Sequence, residues 1–212
     1  PKDNLPDELY WKTPEDFMKE ANWLYSRTES FDTKDTDSDI GYEMSENTTS
    51  NGTLIAPNSD TDWSDRFEDL RHCNIIIEKC DTKREVLSDV YYGLYKGEAT
   101  ALRAMLHLDM LRLFGPVYDD VSKTKESIPY VTNSDSEISP LLSAEEILNF
   151  VIEDLNTALD LLKSTDSILT EGVRNESNTD GGDNSLYYRQ YRMNYYAVKA
   201  LKARVYLWAD NK

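Results

Sequence analysis

One segment restricts the folds open to this chain more than any other: Gly97 to Val117, GEATALRAMLHLDMLRLFGPV. Alanine, leucine and methionine dominate it, and all are strong helix formers. At about 100° per residue, Ala99, Leu102, Leu106, Met110 and Leu113 align as one stripe. Ala101, Ala104, Met105, Leu108 and Leu111 cover most of the remaining circumference. A helix that is apolar nearly all round belongs in the middle of a fold. Phe114-Gly115-Pro116 predicts its stop, with glycine in the left-handed position and proline unable to continue.

Other helices assemble around it. Thr13, Pro14 and Asp16 predict the start of a first helix, with Phe17, Ala21, Leu24 and Tyr25 on one face. A second is expected from about Asp62 to Cys80, striped by Trp63, Phe67, Leu70 and Ile77. Asn74 interrupts that stripe, so its amide needs partners on a neighbouring helix end or loop. The third helix is expected from about Lys83 to Phe114, with Gly93 and Gly97 as points where it breaks, bends or is closely approached. Ser143 and Glu146 form a capping box ahead of Ile147, Val151, Leu155, Ala158 and Leu162. A fifth helix is expected from about Gln190 to Asp210, where Ala197, Ala200 and Ala203 would admit a close neighbour. No convincing strand pattern appears; short extended pieces remain open at Thr53–Ala56 and Ile128–Val131.

The fold class is therefore all-α. Three long polar segments separate the helices, at about residues 28–61, 118–142 and 164–189. Loops of that length in a compact domain are usually functional or disordered, so activity is expected on them.

Charge and motifs exclude several functions. The formal charge of −17 repels phosphate backbones and argues against nucleic acid and against docking on anionic lipid. No apolar run approaches about 18 residues. Cys73 and Cys80 lie on one predicted helix, roughly 10 Å apart, and read as packed thiols. His72 and His107 fall inside helices, away from any nucleophile or zinc pattern, and read as packing residues. No cofactor is called for. Asp35, Asp37, Asp39 and Glu46 occupy positions 1, 3, 5 and 12 of a calcium loop. Ile40 replaces the glycine at position 6, so a solvated acidic loop is the favoured reading. Glu98, Asp109 and Arg112 project to one side of the third helix and Arg103 to another; ion pairs between helices are expected, with Asp109 and Arg112 paired directly. The tyrosines from Tyr187 to Tyr206 read mostly as core or groove lining. On the loops, Tyr42, Tyr118 and Tyr130 offer flat faces suited to sugar rings, and Asn47 and Asn51 offer amides for hydroxyls.

Four segments together resemble the SusD/RagB family: Trp63–Ile77, Lys96–Val117, Val151–Leu159 and Met193–Ala209. KGEATALRAMLHLDMLRLFGPV and AVKALKARVYLWA are close to that family's signatures, and all four occur in its order and spacing. The opening DNLPDELYWKTPEDF resembles the family's mature N-terminus, just after the lipid-bearing cysteine, which is absent here. The resemblance implies tetratricopeptide-like helical hairpins in a right-handed superhelix. It implies a non-catalytic glycan-binding or peptide-binding lipoprotein of the Bacteroidetes outer membrane. It also implies a SusC-type TonB-dependent barrel as partner. Family chains are longer, so residues 1–212 are expected to be a single N-terminal helical domain and a fragment of a longer protein. The alternatives are a helical-repeat interaction module and, with less support, a glycoside hydrolase. The resemblance carries no ligand residues across.

Overall fold

The computed structural model describes residues 10–33, 59–135, 139–179 and 184–209. Among these are five α-helices: α1 (Pro14–Thr33), α2 (Ser59–Thr82), α3 (Asp89–Phe114), α4 (Ala144–Leu162) and α5 (Tyr195–Ala209). A two-stranded antiparallel ribbon, β1 (Glu126–Pro129) and β2 (Leu141–Ser143), lies between α3 and α4. The all-α expectation holds, and the helices form tetratricopeptide-like hairpins.

The central helix is central. α3 packs against α2 on one side and α4 on the other. Side-chain bonds show both pairings to be antiparallel. Lys96 reaches Asp81 near one end of the α2–α3 pair, and the Trp63 and Phe114 rings meet at the other. Arg103 reaches Asp154 midway along α3 and α4, and Gly97, early in α3, faces Leu162 at the end of α4. α5 then lies on α4. Leu94, Ala101, Leu102, Ala104, Leu106, Leu108, Met110 and Leu111 are all buried, while Leu113 turns outward.

Capping explains where the helices begin. Asp16 accepts from the Lys12 and Thr13 amides at 3.1 and 3.0 Å. Ser143 accepts from the Glu146 amide, and Glu146 accepts from the Ser143 amide at 2.9 Å, completing the capping box. The five predicted positions along α4, Ile147 through Leu162, are all buried.

α3 differs from expectation at both ends. A separate 3-10 turn at Arg84–Val86 precedes it, and Ser88 caps a new start by accepting from the Tyr91 amide. The helix then runs unbroken through Gly93 and Gly97. These glycines serve close approach: a Cβ on Gly93 would sit 2.5 Å from Thr165 Cγ2, and one on Gly97 2.8 Å from Leu162 Cγ. Gly115 does not take the left-handed position; its φ of −83° and ψ of 171° are extended. A Cβ there would meet the Leu111 carbonyl at 2.4 Å, so tight packing, not φ, requires glycine.

α5 is also corrected. It begins at Tyr195 after a 3-10 turn at Arg189–Tyr191. Val198, Leu201 and Val205 face the core, whereas Ala200 and Ala203 are exposed and Ala197 is half-buried. The alanine row therefore admits no neighbour among the described residues. Of the extended pieces, the first two residues of Ile128–Val131 fall in β1; Thr53–Ala56 lies outside the described residues. Strand β2 was not foreseen. Ser127 bulges from the ribbon, between the Glu126–Ser143 and Ile128–Leu142 pairs.

Cys73 and Cys80 are free and buried, and burial pushes both thiols well above their ordinary range, Cys80 to about 12. Among the described residues, no helix is long and apolar enough to cross a membrane.

Candidate functional site

Tyr130 is a core residue and not a loop platform, which corrects the sequence expectation. Its ring lies between His107, 3.8 Å away at 18°, and Phe150, 5.2 Å away at 24°. Its hydroxyl donates to Asp154 Oδ2 at 2.6 Å. Burial and the Asp154 carboxylate both push the phenol well above its ordinary range. With both faces covered and the hydroxyl bound, Tyr130 has nothing left for a sugar ring.

The same network shows what the buried charges of α3 do. Arg103 donates to Asp154 through Nε at 2.8 Å and Nη2 at 2.7 Å, a two-pronged pairing. Its Nη1 donates to Asn74 Oδ1 at 2.9 Å. The Asn74 amide donates to the carbonyls of Val131 and Asn133, so the expected loop partners are present. Glu78 accepts from the Ser134 amide and hydroxyl. The segment after β1 is thereby stitched to α2, α3 and α4. Asp109 and Arg112 pair at 3.3 Å, as the spacing predicts.

Tyr118 is half-buried on the surface just beyond the α3 stop. Gly115 and Pro116 lead the chain away from the helix axis, and the Tyr118 ring comes to rest against Trp208 of α5, centroids 5.1 Å apart at 43°. Polar groups surround this aromatic ledge. Asp119 Oδ1 accepts from the Val121 and Ser122 amides, which shapes the turn and lowers its pKa. Lys123 spans Glu145 at 3.5 Å and Asp120 at 3.6 Å. Burial raises the Tyr118 phenol, and the Glu145 carboxylate adds to this. Val117 and Val121 are strongly exposed beside it. A ring surface edged by carboxylates and an ammonium can take a ligand with one apolar face and several hydroxyls. Tyr118 was legible in the sequence. Its partner Trp208 was read only as part of a helical signature.

The segment between α4 and α5 is anchored by a residue that sequence reasoning missed. Arg189 is buried and donates to Asp166 through Nε at 2.9 Å and Nη2 at 3.1 Å, and to Glu98 of α3 through Nη1. Burial opposes its charge, but Glu98 and Asp166 more than offset this and raise its pKa. Asp166 also accepts from the Ile168 and Tyr195 amides, joining a 3-10 turn to the start of α5. Tyr25 accepts from the Met193 amide, tying in α1. Asn194 caps α5 by accepting from the Tyr196 and Ala197 amides. A buried Glu98 on α3 signals that a cation must come from elsewhere, but not from which residue.

Tyr42, Asn47 and Asn51 lie outside the described residues, as do the calcium-loop positions Asp35, Asp37, Asp39 and Glu46. Among the described residues, no group of three or more ligating side chains could hold a metal ion. The two histidines are structural. His72 Nδ1 lies 2.7 Å from Glu20, and its ring lies 3.9 Å from Trp23. His107 bridges backbone atoms of α3 and the segment after β1.

No protein-family model matches the chain. A SusD-like protein of Formosa agariphila is 29 % identical over 174 residues, covering 74 % of this chain and 32 % of the relative. A SusD-like protein of Bacteroides fragilis has a solved structure that superposes with a TM-score of 0.63 at 20 % identity, over 97 % of this chain and 37 % of that one. A SusD-like carbohydrate-binding protein of Bacteroides vulgatus gives a TM-score of 0.54 at 22 % identity, over 70 % and 28 %. The chain thus spans about a third of the length of the curated relative it matches. Four signature segments in order, one hairpin architecture and a SusD-like relative agree: this chain is similar in sequence to a SusD-like protein and shares the fold of SusD-like structures.

Proposed function

We propose that the protein captures a glycan at the outer-membrane surface without chemical turnover and passes it to a SusC-type TonB-dependent barrel. Residues 1–212 form the N-terminal helical part of this receptor, held to the membrane by a lipid on the full-length protein. The observation that carries the reading is the Tyr118–Trp208 ledge with its Asp120, Lys123 and Glu145 border, half-buried at the surface of a SusD-like helical scaffold. Support also comes from the carbohydrate-binding relative of Bacteroides vulgatus, which shares the fold. Such a ledge would stack the C–H face of a sugar while the bordering groups bond its hydroxyls.

Calorimetry of the full-length protein with a panel of neutral oligosaccharides tests this. Trp208→Ala and Tyr118→Ala are each expected to weaken binding about tenfold or more, because truncating an aromatic anchor costs about 2 kcal/mol. Absence of binding across the panel, with binding of peptides in its place, would move the protein to the peptide branch of the reading. Sugar turnover in the same samples would revive the hydrolase alternative.

A protein-interaction role is favoured by a second observation. Leu113, Val117, Val121 and Leu207 are all about half exposed or more. Apolar side chains in that state suit a protein partner. We place the barrel contact there. Co-purification of barrel and receptor should fall when Val117 and Val121 are both changed to Glu; undiminished recovery would remove this surface from the proposal.

A further inference from the structure

We propose that the segment between α4 and α5 carries a second glycan subsite, a shelf of Tyr188, Gln190, Tyr191 and Asn175 that takes a neutral pyranose. This rests on the glycan-binding reading and adds a site to it. The tyrosine-rich stretch reads in sequence as core or groove lining, yet Tyr191 is 71 % exposed. It is held there rigidly. Arg189, two residues earlier, is fixed inside by Glu98 and Asp166. Asn194, three residues later, caps α5. The ring therefore stands in solvent on a short turn clamped at both ends.

Tyr188 makes this arrangement. It is the single non-glycine residue with positive φ among the described residues, at φ 51° and ψ 29°. A bulky aromatic residue rarely adopts that region. Here it reverses the chain so that Arg189 points inward while Tyr188 stays at the surface. Its amide donates to the Arg174 carbonyl at 3.2 Å. Its hydroxyl lies 2.9 Å from Ser177 Oγ. The neighbouring amides supply polar edges. Gln190 Nε2 donates to Asn175 Oδ1 at 2.7 Å, while Gln190 Oε1 is buried without a partner. Asn175 is exposed.

An exposed ring beside two side-chain amides and a phenol matches a sugar, with its apolar C–H face and adjacent hydroxyls that both donate and accept. Charge selects a neutral one. Arg174 is committed to Glu171 and to the Tyr187 ring, 3.7 Å from its centroid. Arg192 is committed to Asn22 and to the Tyr25 ring at 4.4 Å. With both guanidinium groups engaged and a formal charge of −17, a uronic acid would meet repulsion without compensation.

The test uses the full-length protein with maltohexaose, cellohexaose, xylohexaose and mannohexaose. Binding is read by calorimetry, and sugar-induced protection of residues 184–192 by hydrogen exchange. For the hexaose that the wild type binds, Tyr191→Ala should weaken affinity at least tenfold and abolish that protection. Its melting temperature should stay unchanged, because the ring is exposed. Gln190→Ala should weaken binding in the same direction. If the wild type binds a hexaose and both variants bind it equally well, the shelf is wrong and the ledge reading survives. If the wild type binds none of the four, both fall together. Protection of residues 184–192 by a peptide, with none by sugar, would also overturn the shelf.

Discussion

Arg189→Met is expected to cost about 3–5 kcal/mol of folding stability, the range for breaking a buried ion pair from one side. The side chain is 2 % exposed, facing Glu98 at 4 % and Asp166 at 0 %. Methionine fills much of the volume but leaves two carboxylates buried without their cation. Arg189→Lys should recover little, because one ammonium cannot reproduce the two-pronged donation to Asp166. The triple variant Arg189→Met, Glu98→Gln, Asp166→Asn should regain much of the loss, because neutral amides remove the uncompensated charge. Urea unfolding midpoints check all three. A loss below about 1 kcal/mol for Arg189→Met would show that the cluster is more hydrated than its burial indicates. The damage should be local first. Asp166 also holds the amides of Ile168 and Tyr195, so hydrogen-exchange protection should drop across residues 167–179 and 184–195 before it drops in α3. That segment carries the Tyr191 shelf, so the arginine acts on binding by positioning and without touching ligand.

What the sequence revealed follows from how far each signal reaches. The capping box at Ser143 and Glu146 and the stripe from Ile147 to Leu162 are local, set by spacings of three and four residues, and the structure contains both. The burial of α3 was equally plain, because few polar positions interrupt it. Asn74 announced a need for partners, and it found them 57 and 59 residues away. Misreadings arose where two local patterns were equivalent. On α5 the alanines at 197, 200 and 203 and the apolar residues Val198, Leu201 and Val205 share nearly one spacing, displaced by about one residue. Periodicity alone does not choose which set faces inward; the larger apolar area does. Gly115 looked like a left-handed stop, but its constraint comes partly from Ser127, a tertiary neighbour. Tyr130 looked like a loop aromatic because its partners, His107 and Asp154, lie more than twenty residues off in either direction. The candidate site divides the same way. Tyr118 was legible from its place after a helix stop, whereas Trp208 and the outward Tyr191 needed the fold.

Acid sensitivity should arise at His107. Its ring is fully buried, with Nδ1 2.9 Å from the Arg103 carbonyl and Nε2 2.9 Å from the Val131 amide. The amide can only donate, so Nε2 accepts and the proton sits on Nδ1. Burial depresses the pKa to about 3; the bond to the Arg103 carbonyl works against this, and the Arg103 charge adds to it. An unfolded histidine titrates near 6.5. Between these values the unfolded chain binds a proton that the folded chain refuses. The histidine's contribution is therefore complete above about pH 6.5 and declines as pH falls toward 3. By pH 5 the loss amounts to about 2 kcal/mol, at 1.36 kcal/mol per pKa unit. His107→Gln isolates this term, because carboxylate titrations are common to both proteins and cancel. The variant should be the weaker protein at pH 7, having lost the ring stacked on Tyr130. The stability gap should then shrink by about 2 kcal/mol between pH 7 and pH 5, as measured by urea unfolding at each pH. A gap that stays constant would show that the imidazole titrates normally and is reached by water. Protonation must also break the Val131 bond, since an imidazolium has no acceptor. Val131 follows β1 and leads into the turn held by Asn74 and Glu78. The segment from 126 to 134 should therefore be the first to lose exchange protection in acid, ahead of the helices that pack around it.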